Sequence, residues 1–179
     1  MQAADPSEAI RSAFRDLHGR RLHGFALLLT LGDRSRAARL AADALAEGTA
    51  HIDELRHPER AAAWLRARVV RAARGMGDGG LRLSDRLQAL SAIDADGGVL
   101  AGLTILGLVE RAAVIASSVE RLDRRDVAII VGKDGSTLDD LLSRARLRYA
   151  RRFVTAAPEG VPPGPLTERV REVATRAMP

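Results

Sequence analysis

The sequence predicts an all-α protein: two helical modules joined by a Gly-rich linker, with an amphipathic C-terminal helix after them. Three observations predict this class. Apolar residues recur at three- and four-residue spacing through most of the chain. No stretch alternates apolar and polar residues as a half-buried strand would. Glycine and proline gather between the periodic segments, chiefly in "GMGDGG" at 75–80, "ADGG" at 95–98 and "PEGVPPGP" at 158–165.

Each element follows from its residues. Ser7 is suited to cap a first helix that carries Ile10, Phe14, Leu17, Phe25 and Leu28. "TLGD" at 30–33 ends it, with Gly32 as the stop. A second helix is expected over 34–54, through Ala37, Leu40, Ala41, Ala44 and Leu45. Pro58 disfavours helix in the residue before it and opens a third helix, with Ala62, Leu65 and Val69 on one face. A weak helix near 84–93 lies between the two glycine clusters, and a longer one is expected over 102–119.

The stretch "LDRRDVAIIVGKDGSTLDDLLSRARLRY" at 122–149 then reads as two helices around a tight turn. Ala128, Gly132 and Leu138 stand where a helix-turn-helix needs a small, a turning and an apolar residue. Ser136 is expected to cap its second helix. After the stiff proline segment, Leu166, Val170, Val173 and Ala177 form one stripe of a final helix. The expected boundaries are 1–75, 76–101 (linker), 102–154 and 155–179.

Composition narrows the function classes. The 179 residues include no Cys, so there is no disulfide and no thiolate metal site. That fits a reducing cytoplasm. The opening "MQAADPSEAI" lacks the pattern of a signal peptide. "FALLLTL" is short for a membrane span, and "VLAGLTILGLVERAAVIASSV" is interrupted by Glu110 and Arg111, so both are expected in a core and no membrane partner is expected. The net charge is +5, which points to an anionic partner. Genome composition competes as the cause, because Lys133 is the only lysine and alanine is abundant. Aromatics make up 3% of the chain, few for stacking on single-stranded bases.

Catalysis is not expected, nor is a cofactor or a metal. His18, His23, His51 and His57 lack ligand spacing. Asp139 and Asp140 are adjacent, so they diverge by about 100° on a helix and make no acid/base pair. "GKDGST" lacks phosphate-loop spacing.

The order of these pieces resembles the extracytoplasmic-function (ECF) sigma factors of bacterial RNA polymerase. "GDRSRAARL", "HIDELRHPER" and "AWLRARVVR" are similar to the rhythm of their region 2. "LVERAAVIASSVERLDRRDVAIIVGKDGSTLDDLLSRARLRY" is similar to region 4, including its "SRAR" helix. Together they cover most of residues 14–152. The resemblance implies a factor that binds core polymerase at the β′ clamp and the β flap, and that directs it to promoter DNA. An anti-sigma factor is a further possible partner.

Carried over by position, the clamp-facing residues are Arg39, Ala42, Asp43 and Glu47. The DNA-facing residues are Arg66, Arg68, Arg71 and Arg74 on the third helix, and Ser136, Thr137, Asp140, Ser143, Arg144, Arg146 and Arg148 on the last. Trp64 is expected in the core, where the family buries an aromatic. Three departures matter. Arg39 stands where the family has an acid, and Ala42 where it has Gln. The run "VVR" at 69–71 replaces an Ala-Arg-Asn run, so the arginines from Arg60 to Arg74 hold phosphates or form a solvated face. Asp139 and Asp140 open the recognition helix, where they suit its dipole and repel phosphates. These departures imply the alternative of a degenerate sigma-like protein. It would act through protein contacts, as a sigma mimic or accessory regulator.

Overall fold

A computed structural model describes residues 6–156, except Arg56 and Asp78, together with Glu168. The described residues form eight α-helices and no strand. The helices are α1 (Pro6–Leu29), α2 (Arg34–Ala50), α3 (Pro58–Ala73), α4 (Leu83–Ser91), α5 (Gly97–Thr104), α6 (Leu108–Val114), α7 (Arg124–Val131) and α8 (Gly135–Ala156). The expected final helix over 166–177 lies outside the described residues apart from Glu168, which is helical and exposed.

Local chemistry sets most of the boundaries. Gly32 ends α1 with φ +84°, and its N–H donates to the Leu27 carbonyl at 2.9 Å. A side chain there would also collide with α4, because a Cβ would sit 2.7 Å from the Arg86 carbonyl oxygen. Asp33 caps α2 by accepting from the Arg36 N–H at 3.0 Å. Pro58 stands in the first turn of α3, where its missing N–H costs nothing. Asp123 caps α7, and Gly132 closes it in the left-handed region at φ +67°.

Several boundaries differ from expectation. Pro6 already belongs to α1, so Ser7 lies inside the first turn rather than capping it. Ile10 and Leu17 are exposed, while Phe14 between them enters the core. The second helix stops at Ala50, and residues 51–54 form turns. Leu138 N–H donates to the Asp134 carbonyl, so α8 starts at Gly135 and Ser136 sits within its first turn.

The helix expected over 102–119 is broken at Ile105–Gly107. Glu110 accepts from the Gly107 N–H at 3.1 Å and starts α6 afresh. α6 then runs into a π-helical turn at Ile115–Val119. The segment expected as a linker, 76–101, contains α4 and most of α5, with Leu90, Val99 and Leu100 buried.

α1 packs on α2, and α3 crosses both. α7 packs on α3 from the second half of the chain, while α5 and α6 flank α8. One buried apolar cluster includes Phe25, Leu65 and Val69 from the first three helices and Leu103, Ile115, Leu138, Tyr149 and Phe153 from the rest. α5 approaches α8 closely because Gly102 faces the Tyr149 ring, which would lie 2.6 Å from an added Cβ.

His18 is buried on α1, with its ring centroid 4.7 Å from that of Phe14. Burial, then the charges of Arg66 and Arg21, hold its pKa below the ordinary value. The unfolded chain therefore takes up a proton at higher pH than the folded one. Stability is full above about 6.5 and falls as pH drops below that value. The urea midpoint should decline between pH 7.5 and pH 5.5, and His18→Gln should flatten that decline. An unchanged slope in the variant would remove His18 as its source.

Candidate functional site

Three helix faces carry the residues expected to meet partners. On α2, Arg39, Ala42 and Asp43 are exposed, and so are Ala38 and Ala46 on either side of them. Their spacing of three and four places them on one side of the helix. Small side chains here allow another helix to approach closely. Glu47 continues this side but is half-buried, with its carboxylate held by Arg68.

On α3 the expected arginine face divides. Arg71 and Arg74 are exposed. Arg66 is not a surface residue: it is 3% exposed and faces into the molecule. Its Nε and Nη2 each donate to a Glu120 oxygen at 2.5 Å, and Nη1 donates to the Ala62 carbonyl at 2.9 Å. The guanidinium also lies 5.7 Å from the Phe25 ring centroid. With its donors engaged in this way, Arg66 is not placed to hold a phosphate. Arg68 is half-buried between Glu47, at 2.7 Å from Nε, and the Trp64 ring, at 5.3 Å. Trp64 packs against the core as a partly buried residue, with His51 at 6.1 Å on another side.

On α8, Ser136, Thr137, Asp140, Ser143 and Arg144 are all exposed. Ser136, Asp140, Ser143, Arg144 and Arg151 fall within about 100° of the helix circumference. Leu141 is buried with Leu138 and Leu142, so this position of α8 belongs to the core. Arg146 is half-buried, and its Nε is enclosed without a hydrogen-bond partner among the described residues. Arg148 is exposed but committed, donating to Glu110 at 2.6 Å and to the Ile105 carbonyl at 2.5 Å.

Asp139 is answered from α7. Arg124 donates to its two oxygens at 3.1 and 2.9 Å, and to the Gly135 carbonyl at 3.0 Å. The bond to Arg124 lowers the Asp139 pKa, and the same bond raises that of Arg124. The acid at this corner is thus matched by a base on the neighbouring helix. Asp140 remains on the exposed side of α8, one turn before Arg144.

Sequence reasoning missed Glu120, Arg124 and Glu110 as partners of the expected site. Arg66 and Glu120 are 54 positions apart, and no local period links them. Asp139 and Arg124 are 15 apart across a turn, where opposite charges flanking a helix-turn-helix offered a usable signal. Among the described residues no group of three or more His, Asp or Glu side chains converges in a way that would hold a metal ion. No helix of the described residues is long and apolar enough to cross a membrane. No protein-family model, curated protein or solved structure matches this chain.

The buried ion pair has an asymmetric consequence. Removing one partner strands the other charge, at about 3–5 kcal/mol, whereas removing both with apolar replacements is close to neutral. Glu120→Gln should therefore lower unfolding free energy by about that amount, and adding Arg66→Met should recover most of it. Additive losses in the double variant would show that the pair does not couple.

Proposed function

We propose that this chain is a sigma-like transcription factor of the ECF kind. In this reading α2 docks on the coiled coil of the polymerase clamp through Arg39, Ala42 and Asp43. α8 meets promoter DNA through Ser136, Thr137, Asp140, Ser143 and Arg144, while Arg71 and Arg74 hold backbone phosphates. The remaining arginines near the end of α8 stand towards the β flap. The observation that carries the reading is the exposed strip on α8, which follows a short helix and a left-handed Gly132. It occurs in the same chain as the exposed small-residue side of α2. A recognition helix places its N-terminal residues on base edges. Here those residues are short polar side chains and an acid able to accept from cytosine.

A second reading is favoured by the engagement of Arg66, Arg68 and Glu47 inside the chain. Three of the residues carried over from the family are then unavailable to polymerase or DNA. In this reading the chain is a degenerate sigma-like protein, which works through protein contacts such as titration of an anti-sigma factor. The sign reversal at Arg39 supports it, because an opposed charge pair at 4 Å is worth about 1 kcal/mol in water and about 4 at an effective dielectric of 20.

Fluorescence anisotropy of the labelled protein with core RNA polymerase, at near-physiological salt, separates the two. The first reading predicts saturable binding, and promoter recruitment that weakens when Arg144→Ala removes a base- or phosphate-facing charge. The second predicts no binding by the natural chain and partial restoration by Arg39→Asp. Absence of binding by both proteins would contradict the polymerase-factor reading.

A further inference from the structure

An apolar groove of about 480 Å³ opens where α4, α5 and the end of α8 meet. Its lining includes Leu81, Leu83, Leu87, Leu100 and Ile105, with Arg152 and Ala156 at the α8 end. Leu81 and Leu83 are 41% and 64% exposed, two of the few large apolar side chains that face outward. The groove lies away from the exposed sides of α2 and the start of α8, so it does not depend on the proposed function.

Ala156 is both a wall of the groove and the last residue of α8. The chain continues for 23 residues beyond it, to Pro179. We propose that the segment Leu166–Ala177 of the same chain occupies this groove. The segment carries Leu166, Val170, Val173 and Ala177, spaced at four, three and four residues, which forms one apolar side if helical. Glu168 is helical and exposed, and it falls about 200° round from Leu166, on the polar side of that helix.

The connecting stretch supplies reach. "PEGVPPGP" at 158–165 is rich in proline, which favours an extended, semi-rigid spacer of about 3.1 Å per residue and hence about 25 Å of reach. Twelve helical residues add about 18 Å, enough to run back along a groove that starts at the end of α8. The tether also makes docking an intramolecular event, so weak apolar contacts suffice. Docking covers the two exposed leucines and ties α4 to α8.

The cysteine-free chain makes a clean test. A full-length Leu83→Cys/Val170→Cys protein should form an intramolecular disulfide under mild oxidation. The rate should be at least about tenfold that of an Ile129→Cys/Val170→Cys control, whose first cysteine lies on α7 outside the groove. Adding Leu166→Asp should bring the rate down to the control level. Both exposed positions tolerate cysteine, and far-UV circular dichroism verifies that each variant is folded. Equal rates in test and control proteins would overturn the proposal. So would crosslinks that form only between molecules and scale with protein concentration, which would assign the groove to a second copy.

Discussion

Arg111 is the residue on which the rest of the arrangement depends. It is 2% exposed, in the last turn of α6. Its Nη1 donates to the Leu29 carbonyl at 2.8 Å, Nε to Leu103 at 3.1 Å and Nη2 to Leu106 at 3.0 Å. Leu29 is the last residue of α1, and Leu103 and Leu106 bracket the end of α5. Terminal helix carbonyls lack intrahelical partners and carry partial negative charge. One planar guanidinium answers three of them at once, which an ammonium on a flexible stem cannot do. This contact joins the first half of the chain to the second. It also spans the break at Ile105–Gly107, because Leu103 precedes that break and Leu106 lies within it.

The same use of arginine recurs. Arg86 donates to the carbonyls of Leu31 at 3.2 Å and Gly79 at 2.7 Å, which pins α4 and its leading loop to the α1–α2 turn. Arg36 reaches the Gly77 carbonyl, and Arg34 the Gln88 carbonyl at 3.1 Å. Arg66 joins α3 to Glu120 at the end of the π-helical turn. Much of the positive charge is therefore spent on backbone oxygens and internal carboxylates. A net charge of +5 overstates the field available to an anionic partner. What remains outward on α3 and α8 is a smaller set, with Arg71, Arg74, Arg144 and Arg151 foremost.

The helical class and most helix positions were legible because their causes are local. Periodicity, Gly32, Pro58 and Gly132 act within a few residues of where they stand, and each marks a boundary in the structure. The break at Ile105–Gly107 was hidden by the continuous apolar spacing on both sides of it, and the Arg111 contact beside it reaches 82 positions back along the chain to Leu29. The glycine clusters suggested a linker over 76–101, yet α4 and α5 form there, since Leu90, Val99 and Leu100 find a core to enter. The candidate site divides in the same way. The exposed side of α8 follows from helical spacing, while the withdrawal of Arg66 depends on a carboxylate that no local pattern announces.

The account rests on Arg111 making the two halves one cooperative unit, and two natural probes report on them. Trp64, the only tryptophan, lies on α3, and Tyr149, the only tyrosine, is buried on α8. Urea unfolding followed by Trp64 fluorescence and by second-derivative absorbance of Tyr149 should give one coincident transition. Arg111→Met should shift both probes together, by about 3 kcal/mol or more, because three buried carbonyls lose charge-assisted bonds. A Trp64 transition that stays in place while that of Tyr149 moves would contradict the account, and would show two halves that fold without each other.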